Sequence, residues 1–145
     1  MKLVIQRVTS ASVSVEGEIV GEIQNGFLVL VCFEEGDDDP KLQKAIDKVA
    51  NLRLFDDEEG KINLNISQIQ GEILSVSQFT LSWDGSSGHR PSFEKSMKPA
   101  EARLKYALFN KGLRDRGIVV KEGRFGAYMK VSLTNDGPVT ILLEY

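Results

Sequence analysis

Asn25-Gly26-Phe27-Leu28-Val29-Leu30-Val31-Cys32-Phe33 is the stretch from which the fold is read. Residues 27–33 are apolar without a break. A strand places alternate side chains on opposite faces, so an unbroken apolar run predicts burial on both. Asn25-Gly26 just before it is the strongest short hairpin signal, and predicts a turn out of Glu18–Ile23. Further upstream, Leu3, Ile5, Val13 and Val15 alternate with other residues, as in half-buried strands. Glu16-Gly17 can turn that segment into Glu18–Ile23.

Downstream, Glu34–Asp39 is an acidic loop. Asp39 fits an N-cap and Pro40 the first helical position. Leu42, Ala45, Ile46, Val49 and Leu52 keep helical spacing, which predicts a helix over 40–51. Residues 53–55 read as a short strand and 56–60 as a turn. In the mixed segment 61–71, Ile62, Leu64, Ile66 and Ile69 are the expected contacts. A strand over 72–80 leads into the Gly/Ser-rich loop 82–91. A second helix fits 99–115, with Pro99 at its start and Leu104, Tyr106, Leu108, Phe109 and Leu113 for packing. Strands follow over 118–121, 128–134 and 139–144. The order is mostly hairpin-like and predicts an α+β domain over 1–145, built on a mostly antiparallel sheet with two helices.

The composition is that of an ordinary soluble domain: 145 residues, 41% hydrophobic and 27% charged. No apolar run approaches the roughly 20 residues of a membrane span. The apolar start is too short for a signal peptide, and Arg7 interrupts it. Cys32, the single cysteine, excludes an internal disulfide and fits a reducing cytoplasm. Within its apolar run it reads as a small buried hydrophobe. The net charge of −3 is unevenly spread. Residues 89–130 hold 11 Lys/Arg and four acids, a net +7, and the remainder carries −10. Such a block fits a confined contact with a polyanion, or a helix with a solvated charged face.

Conventional catalytic groups are scarce. His89, the only histidine, lies in the 82–91 loop with no serine or acid placed against it by the sequence. No His/Cys cluster has zinc spacing, and Asp37–Asp39 lacks the order of a calcium loop. Gly123-Arg124-Phe125-Gly126 is not a nucleotide fingerprint. No metal or cofactor is expected. Ser77-Gln78-Phe79-Thr80 closes an apolar strand. It reads as an edge strand with ordinary hydroxyl hydrogen bonds. Alternatively, the Gln78 amide and nearby backbone N–H groups form an oxyanion hole. Thr80 as a nucleophile would need a neighbouring base. Asn135-Asp136-Gly137-Pro138 is a turn signal running into the strand Val139–Leu143. Its Gly-Pro bond is either an ordinary trans turn or a cis bond that turns carbonyls into a pocket.

An ordered series of segments resembles the D-aminoacyl-tRNA deacylases of the D-tyrosyl-tRNA deacylase type. It comprises Val4-Ile5-Gln6-Arg7-Val8, Asn51–Phe55, Gly71–Leu74, Ser77–Leu81, Arg90–Phe93, Gly123–Ala127, Met129–Val131 and Asn135–Thr140. Residues 82–90 depart from the usual family form. The resemblance implies a barrel-like sheet and a cytoplasmic homodimer with active sites at the subunit interface. The implied substrate is D-aminoacyl-tRNA, with glycyl-tRNA accepted as well. Gly137 and Pro138 would reject L-aminoacyl groups in the partner's site, with Arg7 supporting them. Ser77, Gln78, Phe79 and Thr80 would line the scissile ester, and Phe125 and Met129 would receive the terminal adenine. The rival readings are a non-catalytic RNA-binding module using 89–130, a general esterase using Ser77 or Thr80 with His89, and a ligand-free structural dimer.

Overall fold

In the computed structural model, which describes residues 1–86 and 88–145, one sheet curls into a nearly closed barrel with two helices against it. The central strand is β1 (Lys2–Val15). One edge pairs with β3 (Gly26–Cys32) over Lys2–Val8, then with β2 (Glu18–Ile23) over Ala11–Val15. The other edge pairs with a C-terminal strand along nearly its whole length. Glu16 and Gly17 both have positive φ, which fits the tight turn joining β1 to β2.

Asn25-Gly26 does not make the expected hairpin. β2 and β3 both pair with β1 and not with each other. Gly26 is needed for another reason: a Cβ there would lie 1.8 Å from the Glu72 carbonyl oxygen, where β3 enters its pairing with the next strand.

That neighbour is β6 (Glu72–Ser77), and the pairing is parallel. Between them run α1 (Asp39–Asn51) and the small antiparallel pair β4 (Arg53–Asp56) and β5 (Ile62–Asn65). α2 (Pro99–Arg114) likewise carries the chain from β6 to parallel β7 (Val119–Glu122). The sheet is therefore antiparallel around β1 and parallel across β3, β6 and β7, because each parallel pair has a helical crossover.

Burial of β3 on both faces is observed. Phe27, Val29 and Val31 join Leu42, Ile46, Val49, Tyr106, Phe109 and Leu113 beneath the helices. Leu28 joins Val8, Val13, Ile23, Leu74 and Val76 inside the barrel.

Three boundaries and the buried face of α2 differ from expectation. The N-cap of α1 is Asp38, whose carboxylate accepts from the Lys41 N–H, and Asp39 lies inside the first turn. Leu104 and Leu108 are exposed, while Tyr106, Phe109 and Leu113 are buried. The strand over 72–80 stops at Ser77, and Phe79–Ser82 form a 3-10 turn. The expected strands 128–134 and 139–144 are one strand, β8 (Lys130–Glu144). Of the expected loop 82–91, Ser87 lies outside the described residues. No helix among the described residues is long and apolar enough to cross a membrane.

Gly26→Ala drives a methyl group into the Glu72 carbonyl, which neither strand can move without breaking the ladder. Its expected cost is at least about 3 kcal/mol, read as a lowered urea midpoint. An unchanged midpoint would refute this packing.

Candidate active site

Parallel pairing of β3 with β6 sets the site. The register places Val31 beside Ser77, so both strands end at the same level. The Gln78 N–H donates to the Val31 carbonyl at 2.8 Å and fixes the point where the chain leaves the sheet. The 3-10 turn begins there. Its first internal bond is from the Leu81 N–H to the Gln78 carbonyl, so the Phe79 and Thr80 N–H groups precede the turn's own hydrogen bonding.

A cavity of about 540 Å³ opens at these strand ends. Its walls include Cys32, Ser77, Gln78, Phe79, Phe93 and Phe125, and the start of α2 borders it through Lys98 and Pro99. Phe79 is more than half exposed and meets Phe93 edge-on, with ring centres 5.1 Å apart. Phe125 is held between two residues of α2. Its ring lies 5.9 Å from that of Tyr106 and 5.3 Å from the Arg103 guanidinium. Tyr106 also ties the helix to the sheet. Its hydroxyl donates to the Ser75 carbonyl at 2.8 Å, an oxygen that the Gly123 N–H shares at 2.9 Å. Burial pushes the Tyr106 phenol up, so it stays a donor at neutral pH.

The structure thus brings Ser77, Gln78, Phe79 and Phe125 to one cavity. Thr80 sits just outside, where its hydroxyl accepts from the Gln78 side-chain amide at 2.6 Å. Met129 does not line the cavity; it is half-buried and packs against the barrel-core cluster that contains Val76. Cys32 does line it, which the apolar run 27–33 had concealed. Burial first, then the Glu34 carboxylate, push its thiol up to about 11, so at neutral pH it is no thiolate nucleophile. His89 is exposed and makes no hydrogen bond or ion pair among the described residues. Among the described residues no three His, Cys, Asp or Glu side chains are placed to hold a metal ion.

Gly137 and Pro138 occupy a different place. The bond between them is cis. β8 pairs with β1 at Thr140 opposite Gln6 and at Asn135 opposite Val8, so residues 136–139 bulge out opposite Arg7 alone. Arg7 holds the bulge from beneath. Its Nε lies 3.2 Å from the Asp136 carbonyl and 3.1 Å from the Asp136 carboxylate. Its Nη1 donates to the Leu54 carbonyl at 2.7 Å. Asn135 closes the bulge, accepting from the Val139 N–H at 3.1 Å and donating to the Thr140 hydroxyl at 3.0 Å. Gly137 has φ of +126°, and a Cβ there would lie 2.7 Å from Val139 Cγ2. Gly137 and Pro138 are exposed and do not line the cavity of their own chain.

Comparison with known proteins gives this geometry a family. The family model described as D-Tyr-tRNA(Tyr) deacylase matches residues 4–144. A D-aminoacyl-tRNA deacylase of Bacillus pumilus (strain SAFR-032) is 53% identical over 144 residues, 99% of this chain and 98% of that protein. A solved structure named c-Myc DNA Unwinding Element Binding Protein is 44% identical, with a TM-score of 0.95 over 100% of this chain and 99% of that one. A probable eukaryotic D-amino acid tRNA deacylase, 17% identical, shares the fold with a TM-score of 0.84, covering 98% of this chain and 97% of that one. With the match running from β1 to the end of β8, and so through both the strand-end cavity and the Arg7-supported bulge, the chain belongs to the D-Tyr-tRNA(Tyr) deacylase family.

Proposed function

We propose that this protein hydrolyses the ester of D-aminoacyl-tRNA in the cytoplasm, as a homodimer whose two sites each use both subunits. The observation that carries the reading is the separation of the two signature segments within one chain. The cavity beside Ser77–Phe79 lacks Gly137 and Pro138, and the bulge that bears them is exposed on β8. A second copy inserting its bulge completes both sites by symmetry.

The roles follow from the parts. The terminal adenine packs on Phe125, near Met129, and the ester lies against Ser77, Gln78, Phe79 and Thr80. The Gly137 and Pro138 carbonyls of the other subunit accept from the substrate's α-ammonium group. The backbone around them leaves room for a hydrogen where an L side chain would project. Arg7, with its partners on Asp136 and Leu54, keeps the bulge in place.

No side chain supplies a base. Cys32 is held as a thiol, and His89 has no bonded partner among the described residues. The substrate brings its own hydroxyl. The ribose 2′-OH next to the 3′-ester is already beside the carbonyl, so fixing the nucleotide supplies proximity. The Phe79 and Thr80 N–H groups stabilise the negative charge that develops on the carbonyl oxygen. Water then cleaves the acyl–oxygen bond, and the amino acid and the free 3′-hydroxyl leave.

Hydrolysis of D-tyrosyl-tRNA with L-tyrosyl-tRNA untouched, and no change with EDTA, is the expected result for purified protein. Turnover of neither, with salt-sensitive tRNA binding retained, would instead support the RNA-binding reading. In single-turnover assays Gln78→Ala slows deacylation roughly tenfold or more, and Thr80→Ala by less than about threefold. Complete loss in a folded Thr80→Ala protein would make the threonine a nucleophile. Exclusion by shape cannot reject an amino acid with no side chain, so glycyl-tRNA is expected to be hydrolysed. Inertness toward every glycyl-tRNA would overturn steric selection.

A further inference from the structure

Beside the cavity lies a second groove of about 400 Å³, between the Glu16–Gly17 turn and residues 124–130. It is lined by Arg124, Tyr128 and Lys130, with Glu16 as its single acid. Tyr128 is 85% exposed, more than any other large hydrophobic side chain among the described residues. Neither Arg124 nor Lys130 makes an ion pair among the described residues, whereas Arg114 and Arg116 nearby in sequence both do. An uncovered aromatic ring flanked by two unneutralised cations is the pattern that holds a single-stranded nucleic acid, with a base on the ring and phosphates on the cations.

The groove and the cavity lie on either side of the segment 124–127. One turn, closed by the Ala127 N–H on the Arg124 carbonyl at 3.1 Å, separates them. Phe125 and Gly126 face the cavity, while Arg124, Ala127 and Tyr128 face the groove. A strand whose last base sits on Phe125 therefore reaches Tyr128 by crossing this turn. We infer that Tyr128 is a stacking platform for a base just before the terminal nucleotide, and that Arg124 and Lys130 bind the adjoining phosphates. The Glu16 carboxylate repels phosphate from the opposite wall, so the backbone lies on the 124–130 side. The inference rests on the proposed reading only for placing the terminal base on Phe125. The groove's own chemistry suits a single-stranded nucleic acid.

The test is binding of a 5′-labelled rACCA tetranucleotide, alongside kinetics on D-tyrosyl-tRNA and D-tyrosyl-adenosine. Tyr128→Ala is expected to weaken tetranucleotide binding roughly tenfold, and Tyr128→Trp to retain it. Arg124→Gln and Lys130→Gln are each expected to lower the log–log salt slope by about 0.7. In turnover, Tyr128→Ala raises KM for D-tyrosyl-tRNA, and the effect vanishes with D-tyrosyl-adenosine, which has no nucleotide to reach the ring. Unchanged tetranucleotide affinity, or an equal loss with D-tyrosyl-adenosine, would overturn the proposal. So would a changed oligomeric mass in Tyr128→Ala, since the ring would then belong to a contact between copies. Tyr128-dependent binding by a protein that hydrolyses neither substrate would sustain the groove while removing the deacylase reading.

Discussion

The parallel pairing of β3 with β6 is the constraint on which the site depends. Both strands are buried on both faces, because one face meets the helices and the other meets the barrel core. Two such strands side by side point the same way only if the chain returns through a crossover, and α1 with β4 and β5 supplies it. The result is that Val31 and Ser77 finish together, and the residues after them, Cys32 and Gln78, face one opening. In an antiparallel pair those ends would lie at opposite edges of the sheet. The depth and width of the cavity are therefore consequences of core packing more than of the residues that line it.

Arg7 is the second constraint, and it shows how a strand tolerates a charge at an inward position. Leu3 and Ile5 point to the core, and Arg7 continues their phase. Burying an unpaired guanidinium would be severely unfavourable. Here β8 loops away over 136–139, and the Asp136 and Leu54 carbonyls and the Asp136 carboxylate take the donors. Charge and bulge therefore require each other. Without the bulge Arg7 has no room, and without Arg7 the bulge has no anchor.

Most elements were legible because their signals are local. The helices declare themselves by spacing and by Pro40 and Pro99, and the apolar strand 27–33 declares its two-faced burial. What could not be read was relational. Asn25-Gly26 has the chemistry of a hairpin, yet Gly26 answers to the Glu72 carbonyl 46 positions away. Asp39 has the chemistry of a cap, and the path of the loop gives that place to Asp38 instead. Residues 128–134 and 139–144 look like two strands because a turn signal separates them. β1 on the other side keeps them as one, with the turn expelled as a bulge. The parallel pairing of β3 with β6 is relational too: a helix and a short β-pair lie between them in sequence, and their register is set only across the sheet. Ser77, Gln78, Phe79 and Phe125, named from motif alone, line one cavity. Cys32 was missed because a cavity at a strand end cannot be told from a core by composition.

The chemical poverty of the cavity then has a structural meaning. A side-chain nucleophile is placed by one rotamer and removed by one substitution. Backbone N–H groups at the start of a 3-10 turn, and carbonyls on a bulge, are placed by whole strands. On the proposed reading, catalysis comes from where β6 stops and selectivity from where β8 bulges. Both are fixed by pairing with strands whose buried faces hold the domain together. On that reading Arg7 is the shared contact: its bonds to Asp136 hold the bulge and satisfy its own buried charge, so losing them costs selectivity and stability together.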